Sequence, residues 1–330
     1  MPSPAEVLAA FGVSGRARGM VPVPGAWSNR VYRLTTDRGS YAVKQLRNPW
    51  RAPRWLDRLA EAWRFEQAAF LAGIAMPEPV ASPSGGCVAW AGHAGQASPL
   101  RMHRWVDGTA PGPGPVTVET ARWAGRTLAT LHLLGVSPAD RSLFPGPGTK
   151  TADDWPELAE AARLAGARWA GQLRAVQPAV AEIAALARAA GERPGDEVMT
   201  HGDIDQKNLV LAADGPVLCD WDVASPIVPR CELADAAMSM AAWQRPEIAR
   251  EVLRGYRAAG GEVAVIGPAD LGRTLMISLD WIALNVGRAT GSRPASPAEA
   301  ALGDRLVPGL LASIPAQLEL ARRAEDILAI

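Results

Sequence analysis

One short region, residues 201–222, limits what this chain can fold into more than any other. HGDIDQKN places a histidine, two aspartates, a lysine and an asparagine within eight residues, and the apolar run LVL follows at once. AADG and PVLCDWD come next, so that two short apolar runs flank a turn. This pattern predicts a buried β-hairpin that brings the polar segments at its two ends together.

The predicted hairpin indicates which polar side chains meet. If its turn is centred on Asp214, Asn208 lies directly opposite Asp220. Opposed residues in an antiparallel pair point to the same face, with Cβ atoms about 4.5–5.5 Å apart. An amide oxygen and a carboxylate are hard ligands that suit Mg²⁺ bound together with phosphate oxygens. Asn208 and Asp220 are therefore predicted metal ligands, and Asp203 at the head of the loop can face the same place.

Phosphoryl transfer requires these residue types, because it depends on positioning and on neutralising charge. A carboxylate accepts the hydroxyl proton, and a cation contacts the transferred phosphate. Asp203 is the predicted base and Lys207 the predicted cation. Asp203 and Asn208 also have the spacing of the protein-kinase catalytic loop, with four residues between them. Turn chemistry would explain either polar segment alone, but the two together favour a kinase.

On these residues the chain resembles the aminoglycoside phosphotransferase and choline kinase family, relatives of the protein kinases that phosphorylate small molecules. HGDIDQKN resembles the catalytic loop of the family, and LCDWD resembles its metal-binding segment. The resemblance implies that Asp203 is the catalytic base and that Asn208 and Asp220 bind Mg²⁺. The residues placed in supporting positions are His201, Asp205 and Asp222.

The N-terminal segments GAWSNRVYRL and SYAVKQL have strand patterns around a turn at residues 37–39. They resemble the family's nucleotide-covering hairpin and the strand whose lysine holds the nucleotide phosphates, which would be Lys44. Only three of the 34 basic residues are lysines, and a compact charge that arginine cannot replace is one reason to keep a lysine. Glu66, at the edge of the apolar face of the next helix, is the predicted ion-pair partner of Lys44, with a solvated helix glutamate as the alternative.

The remaining predicted nucleotide contacts lie in two places. Ser28 and Asn29 stand in the covering turn where protein kinases have a glycine-rich loop. Residues 100–108 resemble the hinge strand whose backbone pairs with adenine, and this assigns a nucleotide-binding role to Arg104, Trp105 and Val106. The implied cofactors are ATP or GTP and Mg²⁺.

The patterns and the resemblance together predict an α+β, protein-kinase-like fold with two lobes. Residues 1–104 form a small β-rich, nucleotide-binding lobe with one key helix. Residues 105–330 form a larger, mainly helical lobe that contains the catalytic loop, the metal site and the acceptor-binding helices. The helices predicted in this second lobe are 116–134, 153–190, 234–259, 269–290 and 315–328.

Charge and composition exclude several function classes. Acidic and basic residues balance at 34 each, so the general attraction of basic proteins to nucleic acid or anionic membranes is missing. No stretch reaches the roughly 20 apolar residues that span a bilayer. The three cysteines have no metal-ligand spacing, which predicts buried thiols in a reducing cytoplasm. The predicted partner is a small molecule, and the protein is expected to be a monomer or a homodimer.

The acceptor is predicted to bind between the catalytic loop and residues 151–199, which hold eight acidic and five basic residues, a balance that suits a cationic acceptor. Asp280, Trp281 and Asn285 are candidates to line this site, with helix packing as the alternative. The predicted activity is phosphorylation of a hydroxyl on an antibiotic, which would make the protein a resistance kinase of the aminoglycoside phosphotransferase type. The alternatives are a kinase for an amino alcohol, sugar or nucleoside, and a nucleotide-binding scaffold without turnover.

Overall fold

The computed structural model describes residues 2–25, 29–47, 53–92, 97–146, 148–192 and 195–330. Internal contacts divide the chain into two compact units. The first consists of Met1–Pro113, Thr130–Phe144 and Val198–Pro226, and the second of Gly114–Ala129, Pro145–Glu197 and Ile227–Ile330. The first unit therefore contains both the predicted nucleotide-binding strands and the predicted catalytic loop.

An antiparallel sheet of six strands forms the body of the first unit. The strands are β1 (Ala17–Val23), β2 (Arg30–Thr36), β3 (Gly39–Gln45), β4 (Pro79–Val80), β5 (Ala89–Ala91) and β6 (Ser98–Arg104). Their order is β1–β2–β3–β6–β4, and β5 also pairs with β6. Thr36 pairs with Gly39, so the turn between β2 and β3 falls where the sequence predicts it. Lys44 of β3 lies directly opposite Arg101 of β6.

Two helices accompany this sheet, α1 (Pro4–Ala10) and α2 (Trp55–Leu71). Val7 of α1 joins the core on the sheet. Leu59 and Trp63 of α2 pack with Leu46 and Cys87 in a second buried cluster. Glu66 is also fully buried in α2, although its position in the pattern predicts the edge of the apolar face. A buried carboxylate requires charged or hydrogen-bonding partners, which the site geometry supplies.

Short regular elements lie within and on both sides of residues 201–222. These are β7 (Val198–Thr200), a 3₁₀ turn (Gln206–Asn208), β8 (Leu209–Ala212), β9 (Gly215–Leu218), a second 3₁₀ turn (Trp221–Val223) and β10 (Ser225–Ile227). β8 pairs with β9, and β7 pairs with β10. The hairpin is confirmed, but its predicted register is wrong by one residue.

Ala212 pairs with Gly215, so the hairpin turn contains two residues and is not centred on Asp214. Asn208 consequently faces Cys219, whose backbone N–H donates to the Asn208 carbonyl at 2.8 Å. Asp220 follows as the first residue beyond this pairing, with a left-handed φ of 66°. The two predicted metal ligands are therefore diagonal neighbours and not an opposed pair.

The second unit is helical in its described part. Its helices are α3 (Val118–Leu133, whose last residues belong to the first unit), α4 (Lys150–Asp153), α5 (Trp155–Leu164), α6 (Ala170–Ala175), α7 (Gln177–Glu192), α8 (Pro229–Met240), α9 (Pro246–Ala258), α10 (Gly272–Thr290), α11 (Pro297–Arg322) and α12 (Ala324–Ile327). Short 3₁₀ helices cover Arg141–Leu143 in the first unit and Pro268–Leu271 in the second. Within the described residues, no helix has the length and apolar character needed to cross a membrane.

Several predicted helix boundaries are wrong. The segment predicted as one helix over 153–190 divides into separate helices, and the one over 234–259 divides into α8 and α9. Ala242 and Trp243 adopt φ values of 50° and 55° between α8 and α9, a left-handed conformation that ends a right-handed helix. Conversely, Pro315 lies inside α11 and does not begin a helix. Alanine-rich sequence favours helix throughout, so composition alone does not locate such breaks.

Candidate active site

Lys44 lies at the centre of a charged cluster in the first unit. Its Nζ is 2.6 Å from Oδ1 of Asp220 and 2.7 Å from Oδ2 of Asp222. Burial by itself would lower the pKa of Lys44, but the charges of Asp220 and Asp222 outweigh burial and hold this pKa above its ordinary value. Lys44 therefore stays an ammonium ion, the form that can hold phosphate oxygens.

Glu66 does not pair with Lys44, so the predicted ion pair between them is wrong. Its Oε2 accepts from the Arg101 guanidinium, and its Oε1 is 2.7 Å from Nε2 of His103. Burial would raise the pKa of Glu66, yet Arg101 and the His103 hydrogen bond together hold it below the ordinary value. The reason lies in the sheet register, which places Arg101 beside Lys44 and within reach of Glu66. A nucleotide-binding role for Glu66 stays a prediction.

Asp222 is the most heavily bonded carboxylate of the cluster. Its Oδ1 accepts from Arg101, and its Oδ2 accepts from Lys44 at 2.7 Å and from Nδ2 of Asn29 at 3.3 Å. Burial would raise the pKa of Asp222, but the positive charges of Lys44 and Arg101 keep it far below its ordinary value. Because both oxygens are engaged by cations, Asp222 suits a positioning role better than a metal-binding one.

Asp220 and Asn208 offer a donor set that fits Mg²⁺. The Asp220 side chain is 43% exposed, and Lys44 engages its Oδ1. Asn208 is buried, and its Nδ2 donates to the backbone carbonyl of Asp203 at 2.8 Å and to Asp203 Oδ2 at 2.9 Å. Both bonds are made by the amide nitrogen. The amide oxygen, which is the atom suited to a hard cation, takes part in neither of them.

Mg²⁺ usually keeps several waters and takes only one or two protein carboxylates beside substrate phosphates. The described residues contain no group of three or more histidine, cysteine, aspartate or glutamate side chains placed to hold a metal by themselves. A site of one carboxylate and one amide oxygen therefore fits a metal that arrives with a nucleotide, rather than one that the protein holds alone.

Asp203 has the surroundings expected of a catalytic base. Its side chain is 36% exposed, so it is accessible to a substrate hydroxyl. Lys207 Nζ lies 2.8 Å from Asp203 Oδ1 and 3.7 Å from Asp205 Oδ2. Asp205 accepts the backbone N–H of Lys207 at 2.8 Å and so caps the 3₁₀ turn that carries Lys207 and Asn208. The loop thus presents one carboxylate oriented by a cation and by an amide.

His201 joins the catalytic loop to the segment that holds Asp220. It is fully buried, and its ring packs edge-on against Trp221 with centroids 4.8 Å apart. The backbone N–H of Asp203 donates to its Nδ1 at 3.3 Å, and its Nε2 is 3.0 Å from the Cys219 carbonyl. Since Nδ1 accepts, a neutral ring carries its proton on Nε2 and donates to Cys219. These contacts give His201 a structural role.

Of the two nucleotide contacts predicted in the covering turn, the structure describes one. Ser28 lies outside the described residues. Asn29 bonds Asp222 through Nδ2, and its Oδ1 accepts from the backbone of Arg47 at 2.9 Å. Asn29, directly before β2, therefore bonds both the charged cluster and the backbone that follows β3.

The hinge backbone is already partly paired. The backbone N–H groups of Arg104 and Trp105 donate to the carbonyls of Glu78 at 2.8 Å and Ser40 at 3.0 Å. The N–H groups of these two residues are thus used within the first unit, which leaves their carbonyls and the backbone of Val106 for the predicted adenine contact.

The predicted acceptor residues lie in α10 of the second unit. Asp280 accepts from Thr151, and burial raises its pKa despite this hydrogen bond. Asn285 is fully buried, and its Nδ2 donates to the Trp281 carbonyl one turn earlier at 2.8 Å. The Asn285 amide oxygen is buried without a partner among the described residues. Asp280 and Trp281 are partly exposed, so they are better placed than Asn285 to meet a ligand.

Sequence reasoning missed Arg101, the residue that joins Glu66 to Asp222. Its side chain is only 1% exposed. The available signal was an arginine in the strand LRMHR, two residues before His103 and therefore on the same face. Recognising its partners would have required the pairing of β3 with β6.

Lys44 on the sheet pairs with Asp220, directly after the β8–β9 hairpin, and the loop that carries Asp203 lies in the same unit. This is the arrangement of protein-kinase-like phosphotransferases. The model of the phosphotransferase enzyme family matches residues 19–266, and the chain belongs to this family. The predicted family, the predicted fold class and the predicted enzyme class, a phosphotransferase acting on small-molecule hydroxyls, are thereby confirmed. A comparison with curated proteins found no significant sequence match.

Three solved structures illustrate the shared fold. Spectinomycin phosphotransferase APH(9)-Ia, in complex with ADP and spectinomycin, is 12% identical with a TM-score of 0.68, over 94% of this chain and 96% of that chain. Amicoumacin kinase hAmiN, in complex with AMP-PNP and Ca²⁺, is 16% identical with a TM-score of 0.62, over 93% and 92%. A choline/ethanolamine kinase family protein from Mesorhizobium loti is 18% identical with a TM-score of 0.58, over 97% of both chains.

Proposed function

We propose that this phosphotransferase uses ATP and Mg²⁺ to phosphorylate a hydroxyl group of a small molecule in the cytoplasm. The observation that supports this most directly is the Asp203 carboxylate, which is partly exposed and is bonded on one oxygen by Lys207 and on the other by Asn208. A partly exposed carboxylate with a fixed orientation suits proton transfer from an entering hydroxyl. A nucleotide-binding scaffold has no need of such a group.

Each residue has a defined task in this proposal. Asp203 accepts the proton of the acceptor hydroxyl, and Lys207 neutralises negative charge beside it. Lys44 holds nucleotide phosphates, and Asn208 and Asp220 hold the metal. Mg²⁺-ATP supplies the phosphoryl group and the positive charge that offsets its oxygens. We assign nucleotide binding to a lobe formed by residues 1–104, and acceptor binding to a lobe formed by residues 105–330.

We propose an antibiotic as the acceptor. Two neighbours in fold are a spectinomycin phosphotransferase and an amicoumacin kinase, and both were solved with a nucleotide. The alternative is a metabolite such as an amino alcohol, and a choline/ethanolamine kinase family protein and an aminopropanol kinase share the fold at TM-scores of 0.58 and 0.60. The partly exposed acidic side chain of Asp280 and the acidic excess of residues 151–199 support a cationic group on either kind of acceptor.

The test is to incubate the protein with Mg²⁺-ATP and a panel of acceptors, and to search for a phosphorylated product by mass spectrometry. The panel contains aminoglycosides, peptide and nucleoside antibiotics, amino alcohols and sugars. Asp203→Asn should lower the rate by at least about 100-fold, since a general base contributes roughly 10²–10⁴. Asp214→Asn makes the same chemical change in the exposed hairpin turn and should leave the rate unchanged.

The class of the product decides between antibiotic and metabolite. Wild-type turnover that persists in Asp203→Asn would refute the assignment of the base. Binding of Mg²⁺-nucleotide without any product from the panel would favour the scaffold interpretation.

A further inference from the structure

We propose that Arg101 positions Lys44, by linking Glu66 to Asp222, in place of a direct ion pair between Glu66 and Lys44. Arg101 donates to Glu66 Oε2 and to Asp222 Oδ1, and Asp222 in turn accepts from Lys44. The inference rests on the proposed function, because it assumes that Lys44 holds nucleotide phosphates. It adds a residue to which neither the family match nor the sequence patterns give a role.

The sheet register explains why arginine can make this link. Lys44 and Arg101 are directly opposed on β3 and β6, so their side chains leave the same face of the sheet. A guanidinium has five N–H donors in a rigid plane and can serve two carboxylates at once. Lysine at this position would present one ammonium group without that fixed fork. The link therefore depends on the geometry of the guanidinium as well as on its charge.

Burial distinguishes the two carboxylate partners of Lys44. The side chains of Arg101 and Glu66 are 1% and 0% exposed, and that of Asp222 is 11% exposed. The other partner of Lys44, Asp220, is 43% exposed. Buried charges that lose their partners are costly, whereas exposed ion pairs contribute little. Asp222 is thus the fixed anchor of Lys44, and Asp220 is the partner that can turn toward a metal.

The charge balance supports the same role. Glu66, Asp220 and Asp222 provide three negative charges, and Lys44 and Arg101 provide two positive charges, which leaves an excess of one negative charge. Loss of Arg101 would leave an excess of two negative charges beside the lysine that receives anionic phosphates. Arg101 therefore aims Lys44 and also limits repulsion of the nucleotide.

A double-mutant cycle tests the inference. The variants are Arg101→Met, Arg101→Lys, Glu66→Gln and the double variant Arg101→Met/Glu66→Gln. Affinity for Mg²⁺-AMP-PNP is measured by calorimetry. Both Arg101 variants should bind about 10- to 100-fold more weakly, the range for residues that orient a ligand-binding group. Glu66→Gln should weaken binding in the wild-type background but should add nothing when Arg101 is already methionine.

A second readout needs no nucleotide. Only Lys44, Lys150 and Lys207 contribute signals in protein labelled with ¹⁵N-lysine, and Lys44 is assigned by its loss in Lys44→Arg. Arg101→Met should shift or broaden the Lys44 ammonium signal and leave the signal of exposed Lys150 unchanged. Glu66→Gln should perturb Lys44 only while Arg101 is present.

A matched control is Arg230→Met, which removes another arginine that bonds a buried aspartate, Asp270, in the second unit. It should lower the melting temperature without changing nucleotide affinity. If Arg101→Met does not fold, Arg101→Lys, which keeps the buried charge, and Glu66→Gln decide the question.

Any one of three results overturns the inference. These are wild-type nucleotide affinity in Arg101→Lys, an equal effect of Glu66→Gln on nucleotide affinity in both backgrounds, and an unchanged Lys44 signal in folded Arg101→Met. Failure of the wild-type protein to bind nucleotide would instead defeat the proposed function. The Lys44 signal would then still show whether Arg101 positions that side chain.

Discussion

Gly202, which lies between His201 and the proposed base Asp203, provides a direct test of how the loop is held. Its φ is +83°, and a Cβ added there would lie 2.7 Å from the Val223 carbonyl oxygen and 3.1 Å from Ser225 Oγ. Gly202→Ala therefore combines left-handed backbone strain with a collision against backbone. The expected result is a less stable protein in which Asp203 is displaced from its working position.

The structure offers a glycine that separates the two effects. Gly73 has nearly the same φ, +80°, and a Cβ added there would meet no described atom within 4 Å. Left-handed strain costs about 1–2 kcal/mol in either variant. The collision adds about 1–3 kcal/mol at Gly202 alone, by analogy with overpacked sites. For a chain of 330 residues, this difference corresponds to a melting temperature about 1–4 °C lower for Gly202→Ala than for Gly73→Ala.

The assay compares thermal melting and phosphotransfer for both variants, with the acceptor identified from the panel. A displacement of about 1 Å near reacting groups can lower a rate about 100-fold. Gly202→Ala should therefore lose most turnover at temperatures where it is folded, and Gly73→Ala should retain wild-type turnover. Equal melting temperatures and equal rates for the two variants would refute the claim that Gly202 is required by contact with residues 223–225.

Three further outcomes are expected. Asn208→Ala should raise the Mg²⁺ concentration for half-maximal rate at least about tenfold, and an unchanged Mg²⁺ titration would contradict its ligand role. Lys44→Ala should weaken nucleotide binding by about 1.5–3 kcal/mol, the value of hydrogen bonds to charged groups, as measured by calorimetry. Burial raises the pKa of Asp280, so its protonated carboxyl favours the folded state at low pH. This contribution to stability is lost as the pH rises from about 3.9, the ordinary pKa of an aspartate, through the raised pKa of Asp280. Asp280→Asn should therefore melt at or above the wild-type temperature at neutral pH, with a difference that moves in favour of the wild type on acidification; a pH-independent difference would contradict this.

The strands and the catalytic loop are predictable because each is indicated by a short continuous run of residues. The turn between β2 and β3 follows from Asp37, Arg38 and Gly39, and the polar loop before β8 follows from an uninterrupted run of residues 201–211. The family resemblance adds the expectation of a kinase-like arrangement. None of these inferences requires knowledge of which distant segments pair.

Positions that depend on one residue of register or on a helix break are less predictable. The two-residue turn of the β8–β9 hairpin moves Asn208 opposite Cys219, and a centre one half-residue later would have placed it opposite Asp220. Both registers are compatible with the same apolar pattern, because residues 209–211 and 216–218 are all apolar and so do not distinguish the two faces. The hydrogen-bonded turn decides the register, and composition does not reveal it.

The partner of Lys44 was beyond sequence reasoning for an electrostatic reason. A lysine near three carboxylates and an arginine has several acceptable pairings, and the choice depends on which charges are buried. Glu66 is fully buried beside Arg101, so the arginine satisfies it and Lys44 is left to Asp220 and Asp222. The expectation of a lysine–glutamate pair therefore identifies two residues that do belong to the cluster, but it assigns them to each other and not to their actual partners. The functional consequence is that the bonded link from Glu66 to Lys44 runs through Arg101 and Asp222, which is why the double-mutant cycle should be non-additive.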